Sequence, residues 1–137
     1  MKIIKSARGF TLIELMIVIG IVGTLIATTT LAYGNYLKDT RDAKRKLDLE
    51  EIRLSLEKYR TATSSYPEED DFMLIQAQGY IAEIPEDPLS PQHEYRYAYD
   101  PSQDTYQLSA ELEDESEGKY YIVKPKGSVY SDTLPNL

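Results

Sequence analysis

A carboxylate inside a hydrophobic run is the first chemistry that the sequence offers. Glu14 stands near the start of an apolar segment that opens at Gly9-Phe10-Thr11-Leu12 and then carries no charge from Leu15 to Leu37. By length the run can cross a bilayer, since roughly 20 apolar residues in a helix cover the hydrocarbon core. An unpaired carboxylate there costs on the order of 2 to 3 kcal/mol or more. Glu14 therefore calls for a cationic partner. An ordinary anchor helix would let the glutamate snorkel to the interface. A secretory signal would use Lys2, Lys5 and Arg8 as its basic region and Thr30-Leu31-Ala32 as a poor cleavage site. Against the latter, the apolar run outlasts the roughly 7 to 15 residues of such a segment and contains an acid.

Elsewhere the residue types support little catalysis. His93 is the only histidine, and it lies in a polar stretch where an exposed side chain is the plain expectation. There is no cysteine, so neither a disulfide nor a thiolate metal site is available. Two acidic runs, Glu68-Glu69-Asp70-Asp71 and Glu113-Asp114-Glu115-Ser116-Glu117, read as solvated turns, because neither has the alternating oxygen ligands of a calcium loop. No phosphate-cradling glycine loop or nucleophile elbow occurs. The twelve tyrosines fall mostly at strand or helix spacing, which fits core and boundary positions with hydroxyls at the water edge. The chain reads as non-enzymatic and without a cofactor.

Lys5-Ser6-Ala7-Arg8-Gly9 followed by Phe10-Thr11-Leu12-Ile13-Glu14-Leu15-Met16-Ile17-Val18-Ile19 resembles the processing signal of type IV prepilins and type II secretion pseudopilins. The resemblance covers about the first thirty residues. It implies cleavage after Gly9 by the prepilin peptidase on the cytoplasmic face, and N-methylation of Phe10 by the same enzyme. It also implies polymerisation of the mature chain into a helical filament. Cleavage removes three positive charges and exposes an amine on Phe10, which stays cationic when methylated. That amine can satisfy Glu14 in its own chain or in a neighbouring subunit. In a low-dielectric surround the pair would separate matched from mismatched registers, so Glu14 reads as an assembly residue. Major pseudopilins bind calcium in a loop near the C-terminus. The 113–117 run is nearest that position, although the glycine-rich loop itself is missing. Many type IV pilins break this helix with a proline where Leu31 stands here. Loosening would therefore fall to Gly20, Gly23 and Thr28-Thr29-Thr30.

Charge narrows the partners. Loss of Lys2, Lys5 and Arg8 leaves 12 basic and 23 acidic residues, a net charge of −11. From Thr61 onward only Arg96, Lys119, Lys124 and Lys126 are basic, against 16 acids. Such a surface repels a phosphate backbone, so direct nucleic acid binding is not expected. Lys38, Arg41, Lys44, Arg45 and Lys46 follow the apolar run and compete with the leader under the positive-inside rule. An N-terminus on the cytoplasmic side therefore rests on the resemblance.

The positioning elements follow from periodicity. Charged residues interleave with leucines at helical spacing beyond Gly34, and no proline interrupts them before Arg60. A helix is expected from about Phe10 to Arg60, on the order of 75 Å long. Its second half carries two apolar stripes. Leu49, Ile52, Leu56 and Tyr59 would pack on the chain's own sheet, while Tyr36, Ala43, Leu47 and Leu54 would face neighbouring helices. Asp70 or Asp71 is expected to cap a short helix from Phe72 to about Gln78, stopped by Gly79. Strands are expected around Tyr95–Tyr99, Tyr106–Leu112 and Lys119–Lys124, with the tail from Pro125 along an edge or loose. The fold class is α+β: a long N-terminal helix, membrane-spanning then amphipathic, on a small antiparallel sheet.

The organisation expected is a leader over 1–9, a transmembrane and assembly helix over 10–37, and an amphipathic continuation plus globular head over 38–137. The function implied is a structural subunit of a type IV pilus-like filament, partnered by itself, the prepilin peptidase and the inner-membrane assembly machinery. It would start as a single-pass precursor in the cytoplasmic membrane and end in an extracellular or periplasmic filament. One alternative is a major pseudopilin of a type II secretion system. Another is a single-pass membrane protein that never polymerises and binds a partner through its acidic head.

Overall fold

The computed structural model describes residues 9–134, leaving out the side chains of 28–32. The leader residues Lys2, Lys5 and Arg8 and the end of the tail thus lie outside the described residues, as do the side chains of Thr28-Thr29-Thr30 and Leu31. The chain divides between Leu37 and Lys38 into two compact units.

Helix α1 (Leu12–Thr63) is continuous over 52 residues, so no loosening appears at Gly20, Gly23 or 28–30. Its apolar side chains in the first unit, from Leu12 to Ile26, are exposed. Among the described residues no helix is long and apolar enough to cross a membrane. The described side chains of that apolar stretch stop at Ala27.

In the second unit the 3,4 spacing of the helix places Leu49, Ile52 and Leu56 at 0% exposure, with Tyr59 also buried. They meet one face of a four-stranded antiparallel sheet in the order β1-β2-β3-β4, made of β1 (Arg96–Asp100), β2 (Thr105–Glu111), β3 (Tyr120–Lys124) and β4 (Gly127–Ser131). Register explains which residues share that face. Leu108 pairs with Val123 and Ala110 with Tyr121, and all four are buried beside Tyr106 and Leu112. The α+β arrangement expected from the pattern is present.

Of the two readings of the tail, the edge is the one present, because Gly127–Ser131 pairs with β3 as a fourth, outermost strand. The turn that delivers it ends at Gly127, whose φ of 143° is open chiefly to glycine. Helix α2 (Leu74–Ala77) is shorter than expected and has no side-chain cap. Asp70 and Asp71 lie instead in a hydrogen-bonded turn, in which the Asp71 N–H donates to the Glu68 carbonyl. Gly79 does close α2, at φ 78°. Gly118 (φ 130°) sits so close to β4 that an added Cβ would lie 3.0 Å from the Ser131 nitrogen.

Candidate functional site

The first site is the start of α1. Gly9 and Phe10 precede the helix, and Phe10 is 83% exposed. Thr11 starts the helix by two contacts: its hydroxyl accepts from the Glu14 N–H at 3.3 Å, and its carbonyl accepts from the Leu15 N–H at 3.2 Å. This is the N-cap position, and Thr-x-x-Glu is the spacing of a capping box. The pattern was legible in the sequence but was overshadowed there by the demand of Glu14 for a cation. The Glu14 side chain is exposed and forms no hydrogen bond or ion pair among the described residues. Its place in the first turn sets its charge against the positive end of the helix dipole, a partial compensation.

The second site is the helical face away from the sheet. Leu47 is 71% exposed and Leu54 52%, and Ala43 is exposed as well; Tyr36, of the first unit, is also exposed. The same helix therefore buries one apolar stripe completely and leaves the other in water.

A third constellation escaped the sequence reading. Arg45 is fully buried. Its Nε and Nη2 donate to the two carboxylate oxygens of Asp87, at 2.7 and 3.0 Å. Nη1 donates to Asp42 Oδ1 at 2.6 Å and to Glu113 Oε1 at 3.0 Å. Arg41 adds two bonds of 2.6 Å to Glu113. Asp42 in turn accepts the N–H groups of Glu113 and Asp114. One guanidinium so joins the helix, the connecting loop and the β2–β3 turn. Burial alone would raise the pKa of Asp87, but its bonds from Arg45 and the Leu89 N–H outweigh this and hold it below the usual carboxylate range. The Arg41 hydrogen bond, helped by Arg45, pulls Glu113 down to about 2 against the opposing effect of burial. The available signal was the stripe itself: stepping back from Leu49 by four residues lands on Arg45, and by seven on Asp42.

The remaining candidates resolve into structural roles. Glu113 is taken up by the two arginines, and Glu69 accepts the Tyr99 N–H at 3.3 Å. Among the described residues no group of three or more His, Cys, Asp or Glu side chains is arranged to hold a metal ion. His93 is half-buried, contrary to expectation, with Nδ1 3.8 Å from Glu111 Oε2. Several tyrosines behave as expected, with buried or partly buried rings and bonded hydroxyls: Tyr66 donates to Glu57, Tyr95 to Asp48 and Tyr97 to the Pro67 carbonyl. Tyr106 is an exception, its hydroxyl buried without a partner.

Residues 4–30 match the prokaryotic N-terminal methylation motif. The resemblance seen in the sequence is thus supported over that segment. The chain is similar to two probable minor fimbrial proteins of Dichelobacter nodosus, 40% and 38% identical over 53 residues, or 39% of this chain. It is also similar to prepilin peptidase-dependent protein D of Escherichia coli (strain K12), 49% identical over 55 residues, or 40% of this chain. Each match spans 33% of the relative's own length. No solved structure matches.

Proposed function

We propose that this chain is a structural, non-enzymatic subunit of a type IV pilus-like filament. The observation that carries this is the methylation motif over residues 4–30, with Gly9-Phe10 and Glu14 in place. The prepilin peptidase cleaves after Gly9 and methylates Phe10 while the segment 10–37 holds the precursor in the cytoplasmic membrane. The new cationic amine then meets Glu14 of a neighbouring subunit, which sets the register of docking. A Glu14 carboxylate with no partner among the described residues supports that role, as does the uncovered Leu47 and Leu54 face, which would pack against adjacent helices. Assembly places the acidic head outside the membrane.

Intact-mass and N-terminal analysis of protein sheared from cells, beside what stays in the envelope, tests this. A sheared fraction that starts at N-methylated Phe10 is the expected result. Processed chain confined to the envelope would move the assignment to a secretion pseudopilus. Full-length chain starting at Met1, with nothing sheared, would overturn it.

A further inference from the structure

The head is electrically uneven along its helix. At the Lys38 end, a hollow of about 170 Å³ gathers Asp39, Asp42, Asp114 and Glu117, with Lys46 as its only basic lining residue. Lys46 is held by the head itself, 5.0 Å from the Tyr130 ring centre and 3.7 Å from Glu117. Asp114 and Glu115 are exposed on the β2–β3 turn, and neither forms an ion pair among the described residues. Lys38 lies near and offsets part of this charge.

At the Arg60 end the sign reverses. A hollow of about 360 Å³ is lined by Arg60, Lys124 and Lys126 around the start of β2 and the β3–β4 turn. Arg60 is already paired with Asp104 at 2.9 Å. Lys124 and Lys126 are exposed and form no ion pair among the described residues. They are two of only four basic residues beyond Thr61.

The strand order sets the two features apart. β2 and β3 run between the turns, so the acidic β2–β3 turn and the basic β3–β4 turn stand at opposite ends of the same hairpin. Arg41 and Arg45 mark the first end on the helix and Arg60 the second. Two different patches that complement each other on one chain make a head-to-tail contact, and such a contact repeats into an open filament where its rotation does not close a ring.

We propose that the basic hollow at Lys124 and Lys126 of one copy receives the acidic Asp114–Glu117 turn of the next copy, so that heads dock end to end. This rests on the filament assignment above and adds to it a contact outside the hydrophobic helix. Opposite charges at the rim steer and select the neighbour, and salt weakens the contact.

The test uses the full chain in cells that process it. Lys124→Glu with Lys126→Glu places like charges together and lowers sheared filament by about tenfold or more, while processing at Phe10 continues. Adding Glu115→Lys and Glu117→Lys restores the yield to within about twofold, because the complementarity is then exchanged rather than lost. The chain has no cysteine, so Lys126→Cys with Glu115→Cys can be oxidised without background. A ladder of covalent multimers from sheared filaments is expected, whereas either single variant, with no cysteine across the contact, stays monomeric. Filaments that give no ladder, with a yield indifferent to the charge reversal, overturn the end-to-end contact and leave the filament assignment standing. A wild-type chain that forms no filament overturns both.

Discussion

Replacing Arg45 with alanine separates two ways in which a buried arginine can matter. The side chain is fully buried, and it makes four hydrogen bonds to three carboxylates. Asp42 would keep the Glu113 and Asp114 N–H groups, but Asp87 would keep only the Leu89 N–H. Breaking a buried pair from one side costs about 3 to 5 kcal/mol, mostly because a charge is left without a partner. For a unit of this size that corresponds to a fall in Tm of roughly 15 to 30 °C. Purified full-length chain in detergent micelles can be melted while near-ultraviolet circular dichroism follows the tyrosines, since the chain has twelve and no tryptophan. The diagnostic feature is pH. In the variant an unpaired, buried Asp87 is driven above the usual carboxylate range, so it takes up a proton as the solution is acidified and the penalty relaxes. The wild type keeps its ion pairs over most of that range, because Asp87 and Glu113 are held below the usual carboxylate range, so the gap narrows toward pH 3.5 through relief of the variant. A gap below about 1 kcal/mol at pH 7, or one as large at pH 3.5 as at pH 7, would refute the unpaired-charge account and leave lost packing as the cause.

Three further outcomes are expected. The carboxyl of Glu113 is depressed from 4.5 to about 2, so its contribution to head stability is complete above about pH 4.5 and is lost as pH falls through about 2. Allowing for solvent at its rim it amounts to about 2 kcal/mol, and Glu113→Gln should flatten the acid limb of a stability-against-pH curve by that much. Leu47→Glu and Leu54→Glu should each abolish sheared filament while the head keeps its wild-type Tm within a few degrees, because both side chains are exposed in the single chain. A collapsed Tm would show that this face belongs to the head's own core. Gly118→Ala should destabilise the head by about 2 kcal/mol or more, given φ 130° and a Cβ 3.0 Å from the Ser131 nitrogen, and β4 amides should exchange faster in hydrogen exchange.

What the sequence disclosed was what is periodic. The Leu49-Ile52-Leu56-Tyr59 stripe and the alternating strands of 96–124 state their buried faces directly, and the helix and sheet follow from them. β4 was legible only as one of two readings of the tail, along an edge or loose, because its side chains are mostly exposed and no alternation marks it as a strand. Arg45 was hidden for a different reason. A basic run after an apolar segment suggests membrane topology, and only the tertiary position of Asp87 and Glu113 turns one member of that run into a core residue. Asp70 and Asp71 show the converse, since a good capping residue still needs a helix that begins beside it, and α2 begins at Leu74. The methylation motif over residues 4–30 was legible without any structure, because it is a local sequence pattern.

The order of the sheet bears on how such a chain reaches its final state. Its strands are neighbours in space in the same order as along the chain, joined at 101–104, 112–119 and 125–126. Each strand pair therefore closes a short loop, and the largest entropic term in forming the sheet is met in small steps. Nothing has to be threaded and no strand waits for a partner from the far end. The chain can complete its sheet one hairpin after another in the order of synthesis. The docking of the helix, through Leu49, Ile52 and Leu56 and through the Arg41 and Arg45 ion pairs, then remains as the long-range step.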